Sequence, residues 1–220
     1  MVIRLVVMIY VRFPLSLRNV EDLLFERAID ICHETVRLWW NRFGPLFAAD
    51  IRRQRVSRMR AFYQWRRHLD EVFVRINGEG HYLWRAVDLE GEILKSFMTK
   101  THDKAAVLVF FKKALKRHGP AEVIVIEEFQ SYAAAMHELG NLDRHEIGRW
   151  KNNRVANNHR PFRRRERAML RFRRMKTLQM FLSVYAFVHN HFNHERHLDD
   201  RQTYKARRAT ALAEWQALAA

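Results

Sequence analysis

The chain has one cysteine, Cys32, in 220 residues, so it can form no internal disulfide and no multi-cysteine zinc site, which fits a reducing compartment. Long apolar runs are also missing. The opening VIRLVVMIYV is bracketed by Arg4 and Arg12, with only about seven apolar residues between them, far short of the ~20 that span a bilayer. No small-residue cleavage site follows it, so a secretory leader is not expected either. These absences point to a soluble cytoplasmic protein with no membrane-spanning segment. Acidic residues are scarce: 24 Asp+Glu stand against 40 Lys+Arg, giving a net charge of +16 and a pI near 10.7. That imbalance calls for a polyanionic partner, nucleic acid first and an anionic membrane surface second. With 48% hydrophobic and 12% aromatic residues, the chain can fill one sizeable core and a smaller one.

The chain is organised around residues 65–88, WRRHLDEVFVRINGEGHYLWRAVD. Apolar residues alternate through Leu69, Val72, Val74 and Ile76, the chain turns at Asn77-Gly78, and apolar positions resume at Tyr82, Trp84, Ala86 and Val87. This pattern predicts a β-hairpin. Two carboxylates, Asp70 and Glu71, fall inside its first strand, where burial costs several kcal/mol unless each finds a partner. Either Arg66 or Arg67 satisfies the pair structurally, or Asp70 holds a divalent metal ion at the centre of a mixed sheet.

Upstream, residues 2–13 read equally as helix or strand. Ser16 is placed to cap a helix over LRNVEDLLFERAI, in which Leu17, Val20, Leu23, Leu24 and Ile29 recur at helical spacing. After a break at residues 30–32, a second short helix, HETVRLWWNRF, is expected to end at Gly44-Pro45. Two short helices joined by a tight turn match a helix-turn-helix, with Thr35, Arg37, Asn41 and Arg42 on the exposed side of the second to meet bases and phosphates; a plain helical hairpin is the alternative. Residues 50–67 are rich in arginine, with Asp50 their only acid, and contain no glycine or proline. They suit a basic helix lying along a phosphate backbone, or a solvated linker.

Downstream of the hairpin come a third strand at EILKSFMTK, a helix at KAAVLVFFKKALKRHG, a buried strand EVIVIEEF ending in Glu127-Glu128, and a helix opened by Ser131. This order implies an α/β fold, a mixed sheet flanked by helices. From Arg149 to Lys176 twelve Lys+Arg face one acid, with Trp150, Phe162 and Phe172 between them, which favours a DNA-binding surface over a merely solvated one. A last apolar helix, TLQMFLSVYAFVHNHFN, runs into His189, His191, His194 and His197; with no cysteine and no carboxylate at fixed register, that cluster is a weak candidate for zinc.

Three long stretches, PLSLRNVEDLLFERAIDICHETVRLWWNRF, WRRHLDEVFVRINGEGHYLWRAVDLEGEIL and NNRVANNHRPFRRRERAMLRFRRMKTLQ, together with the order of parts, resemble the insertion-sequence-six family of bacterial transposases. The resemblance implies an α/β, ribonuclease H-like integrase core preceded by a small all-α helix-turn-helix domain. The expected divisions are 1–48 for the helix-turn-helix, 49–66 for a basic linker, 67–195 for the catalytic core and 196–220 for a helical tail. It also implies metal-assisted phosphoryl transfer by an Asp, Asp, Glu triad with Mg²⁺ or Mn²⁺, the ions activating one oxygen and stabilising the other.

Asp70 matches the first triad position. The second falls on Glu127, one methylene longer than aspartate, and the third on Ala156, which brings no ligand. Metal ligands by this resemblance are therefore Asp70 and Glu127, and their hold on the ion is expected to be weakened. The expected partners are double-stranded DNA, both element terminal repeats and target, and further copies of the chain on that DNA, in the bacterial cytoplasm and nucleoid. Arg163, Arg164 and Arg165 are expected to contact phosphates without reading sequence. Two functions remain open: a transposase with impaired cutting and joining, and a catalytically silent DNA-binding relative that represses or poisons active subunits.

Overall fold

The computed structural model describes residues 2–59, 66–89, 91–118, 122–126, 130–140, 145–147, 153–169, 172–194 and 199–218. These form two compact units. One consists of residues 1–61, 165–170 and 183–220, and the other of residues 62–164 and 171–182.

The first unit is helical. Residues 2–13, ambiguous in sequence, begin with helix α1 (Val2–Arg12), which buries Val6, Val7, Tyr10 and Val11. Helix α2 (Leu17–Phe25) starts as expected at Ser16, in a capping box: the Ser16 hydroxyl accepts from the Asn19 N–H at 3.0 Å, and the Asn19 side chain accepts from the Ser16 N–H at 3.0 Å. Beyond α2, two expectations fail. The connection to the next helix occupies residues 26–32 rather than a tight turn, passing through Ala28 in the left-handed region at φ 57°. The second helix, α3 (His33–Met59), runs straight through Gly44-Pro45.

Proline at position 45 costs the helix one backbone hydrogen bond. Val36, Trp40, Phe47 and Ile51, all buried on one stripe, continue the helical period across it, and this burial outweighs the local break. Gly44 serves packing instead: a Cβ there would lie 2.8 Å from the Trp40 ring. The helical tail expected at 196–220 contains α8 (Arg201–Ala217), capped by Asp200, and it belongs to this same unit. Its Trp215 is buried, packs on Phe47 at 5.5 Å between ring centroids, and donates its indole N–H to the Arg4 carbonyl at 3.0 Å.

The second unit is built on a five-stranded sheet ordered β3-β2-β1-β4-β5. Strands β1 (Arg66–Ile76), β2 (Glu79–Asp88) and β3 (Ile93–Thr99) are antiparallel neighbours, while β4 (Val123–Ile126) lies parallel to β1 and β5 (His145–Ile147) parallel to β4. The hairpin turn falls at Asn77-Gly78, with φ 52° and 86°, as a two-residue turn of this kind requires. Strand β5 was not legible in the sequence.

Helices α4 (Lys104–His118) and α5 (Gln130–Glu138) supply Val107, Phe110, Phe111, Tyr132 and Met136 to one core with Leu69, Trp84 and Ala86 of the sheet. On α6 (Asn153–Ala168) and α7 (Met175–Phe192), Phe162 and Phe181 are also fully buried. The Gln179 side chain binds the β3 backbone, accepting from the Met98 N–H at 3.1 Å and donating to the Ser96 carbonyl at 3.3 Å. Three antiparallel strands, then a helix, then parallel strands added beside β1, make the expected ribonuclease H-like mixed sheet flanked by helices. Among the described residues no helix is long and apolar enough to cross a membrane.

Candidate active site

Strand β1 is central, with β2 on one side and β4 on the other, and its successive side chains point to opposite faces. Asp70 and Glu71 therefore meet different surroundings. Glu71 lies on the face opposite to Asp70. Its Oε2 accepts from the Tyr132 hydroxyl at 2.5 Å, and its Oε1 lies 2.7 Å from His102 Nε2. The His102 ring stacks on Trp84 with planes 5° apart. Both carboxylate oxygens of Glu71 are thus engaged in a built-in network, and this glutamate is structural.

Asp70 is 8% exposed. Directly opposite it on β2 is Arg85, and opposite Arg85 on β3 is Ser96, so a polar row crosses three strands. All three are buried, Arg85 completely, and the Arg85 guanidinium lies over the Phe162 ring of α6 at 5.4 Å. From the same helix His159 brings Nε2 to 3.5 Å from Asp70 Oδ2. That is longer than a hydrogen bond. It is not an ion pair either, because burial, with the charges of Arg85 and Arg163, holds the imidazole pKa well below its ordinary value and keeps it neutral. Neither ring nitrogen of His159 has a hydrogen-bond partner among the described residues. Burial pushes the Asp70 carboxyl up to about 6, against the opposing pull of the Glu71 backbone N–H and the Arg85 charge. The pocket thus holds a carboxylate near its titration point, the opposite of what tight ion pairing would produce.

Of the other expected triad positions, Glu127 follows β4 directly in sequence and lies outside the described residues, so the expected approach of Asp70 and Glu127 does as well. Ala156 falls within α6, three positions before His159 in sequence. His159 was missed because a lone histidine in a basic block gives no signal; its place on the buried stripe of α6 with Phe162 is what marks it.

The residues resembling transposases imply divalent ions here. Hard cations take several oxygen ligands. The described surroundings of Asp70 offer a neutral imidazole and the positive charge of Arg85, and among the described residues no group of three or more His, Cys, Asp or Glu is placed to hold a metal ion. Of the two expected ligands only Asp70 is among the described residues, and Glu127 lies outside them. Of the terminal histidines, His191 Nε2 lies 2.7 Å from the Ala211 carbonyl and His189 stacks on Tyr185, while His194 Nε2 has no hydrogen-bond partner among the described residues and His197 lies outside them.

The expected DNA-contacting residues divide. On α3, Arg37, Asn41 and Arg42 are exposed, and Thr35 is half-buried with its hydroxyl 3.4 Å from Cys32 Sγ. Arg37 is held loosely by Glu34 at 3.1 Å. On α6, Arg164 is exposed, and Arg163 is half-buried and donates to the Phe73 carbonyl. Arg165 contradicts its expected role. It is 1% exposed, donates to the Leu15 carbonyl and lies over the Tyr10 ring at 4.4 Å. Burial lowers its pKa to about 10, which still leaves it charged at neutral pH. A guanidinium so enclosed packs helices and reaches no phosphate.

Residues 64–195, more than half of the chain, match the DDE domain family. A transposase for insertion sequence-like element IS431mec from Staphylococcus aureus is 29% identical over 164 residues, covering 72% of this chain and 71% of that protein. The transposase for insertion sequence element IS257 in transposon Tn4003, also from Staphylococcus aureus, is 28% identical over the same shares. Among solved structures, the catalytic domain of Mos1 mariner transposase aligns with 78% of this chain and 94% of that one, at 12% identity and a TM-score of 0.38. The family match, the relatives and the observed sheet agree, and the chain belongs to the insertion-sequence-six family of DDE transposases.

Proposed function

We propose that this transposase binds the ends of an insertion sequence as duplex DNA, as a homo-oligomer, and that its cutting and joining of strands is impaired. The observation that carries the second half is the setting of Asp70: the first triad carboxylate sits beside Arg85 and neutral His159, and the helix that brings His159 has Ala156 three positions earlier. Alanine has no oxygen to offer, and Glu127 would deliver its carboxylate one methylene beyond the aspartate of the family pattern. Mg²⁺ or Mn²⁺ binding is accordingly weakened. The exposed Arg37, Asn41 and Arg42 support α3 as the reading helix, and Arg164 supports a sequence-independent phosphate contact. A second reading, a silent relative that occupies element ends or poisons complexes of active subunits, draws on the same features and differs only in having no residual strand transfer.

The test is a strand-transfer assay with Mg²⁺ or Mn²⁺, comparing the unaltered chain with the Ala156→Glu, Glu127→Asp double variant. Low or absent activity in the first and partial recovery in the second is the expected result. Robust transfer by the unaltered chain, abolished by Asp70→Ala, would sink the impaired reading.

A further inference from the structure

Within the helical unit a pocket of about 170 Å³ is lined by Val11 and Arg12 from the end of α1 and by Tyr185, His189, Phe192 and Asn193 from the end of α7 and just beyond it. Its floor is apolar and its donors are cationic or neutral. The Arg12 guanidinium lies over the Phe192 ring at 4.3 Å and near the Phe13 ring at 5.1 Å. Stacking of this kind uses the flat faces of the guanidinium and leaves its five N–H donors directed outward in its plane.

No described residue accepts from those donors: Arg12 has neither a hydrogen bond nor an ion pair among the described residues. The Asn193 carboxamide, also half-buried, is equally unengaged. A second cation stands close by. Arg208, turned toward Tyr204 with a hydrogen bond of 3.0 Å to its hydroxyl, adds its charge to that of burial in lowering the Arg12 pKa. Two like charges acting on each other, with no described carboxylate acting on Arg12, are unfavourable in isolation and favourable around an oxyanion.

We propose that this pocket is a phosphate site, in which Arg12 and Asn193 hold the oxygens of one phosphate group and Arg208 supplies the second positive charge. An arginine fixed by stacking is already oriented for two-pronged contact with a phosphate, and little side-chain freedom is lost when the contact forms. The phosphate can belong to a DNA backbone or to a free phosphate-bearing solute. The site is separate from α3 and from Arg164, and its chemistry does not depend on the function proposed above.

The experiment has two arms, both on the full chain. In the first, inorganic phosphate is titrated while the thermal midpoint is followed, for the unaltered chain, Arg12→Gln and Arg12→Lys. Phosphate should raise the midpoint of the unaltered chain, leave Arg12→Gln unmoved, and act weakly on Arg12→Lys, which keeps charge without the fork. An equal response in all three overturns the proposal. Should Arg12→Gln fail to fold, Asn193→Ala carries the test, with a reduced response expected and an undiminished one overturning it. In the second arm, duplex affinity is measured across a salt series. A slope of log affinity against log salt that is shallower by about one unit in Arg12→Gln identifies the phosphate as one of the DNA backbone. An unchanged slope with a lost phosphate response assigns the site to a free phosphate-bearing solute.

Discussion

Asp70 and Glu71 are adjacent carboxylates on one strand, both largely buried, and they live in opposite chemical worlds. Glu71 has a hydroxyl, an imidazole and a stacked indole arranged around it, the hydroxyl and the indole belonging to the core residues Tyr132 and Trp84. Asp70 has a cation across the sheet and an imidazole just out of hydrogen-bonding range, and its carboxyl titrates near 6. A carboxylate fully served by its own fold is a structural one. A carboxylate left with a net penalty is a candidate functional group, because its own fold does not account for it.

The contrast can be broken most forcefully at Glu71. Removing its side chain in Glu71→Ala strands the Tyr132 hydroxyl and His102 without their acceptor, and should cost about 3 kcal/mol in a urea titration. A cost below about 1 kcal/mol would mean the network is incidental.

Asp70→Asn should do the reverse and stabilise the protein, by up to about 3 kcal/mol at pH 8. The sign follows from the direction of the shift. The folded carboxyl titrates at about 6 against an ordinary value of 3.8, so the fold bears the cost of the ionised form above pH 6 and is relieved of it as pH falls toward 4. The gain from the asparagine should therefore shrink over that window in denaturation curves taken from pH 8 to pH 4. A loss of stability at pH 8 would place Asp70 with Glu71 as a structural ion.

The smallest effect is expected from His159→Leu, within about 1 kcal/mol at pH 8, because an imidazole without hydrogen bonds is exchanged for a side chain of similar size. Its value lies in the pH profile. His159 is held neutral in the fold and would be protonated below 6.5 in the unfolded chain, so it costs stability as pH falls, whereas Asp70 returns stability over an overlapping range. The leucine variant should be the more acid-tolerant protein and Asp70→Asn the more acid-sensitive one. Parallel profiles for both variants would show that the two groups titrate as one unit rather than in opposition.

The hairpin, its turn, the capped α2, the strand at Val123–Ile126 and the mixed sheet could all be read from alternation, turn chemistry and capping, because each is encoded within a few neighbouring residues. The continuation of α3 through Gly44-Pro45 could not: the local signal says stop, and the reason to continue lies in the burial of Phe47 and Ile51 and in the ring of Trp40 against Gly44. The same holds for Arg165, where counting charges sees another basic residue and only the packed structure shows Tyr10 beneath it. Asp70 was marked by its place in a buried strand and matched to the first triad position by resemblance, whereas its neighbours Arg85 and His159 came from strand register and the buried stripe of α6, neither of which is written in a spacing.

The bond from the Trp215 indole to the Arg4 carbonyl, spanning 211 positions, sets a schedule for synthesis. The first helices leave the ribosome long before the residue that completes their core, and at typical elongation rates of about 5–20 residues per second the wait is roughly 10 to 40 s. Through that interval the side of Phe47 that Trp215 covers lies open in the nascent chain, a natural docking point for a chaperone.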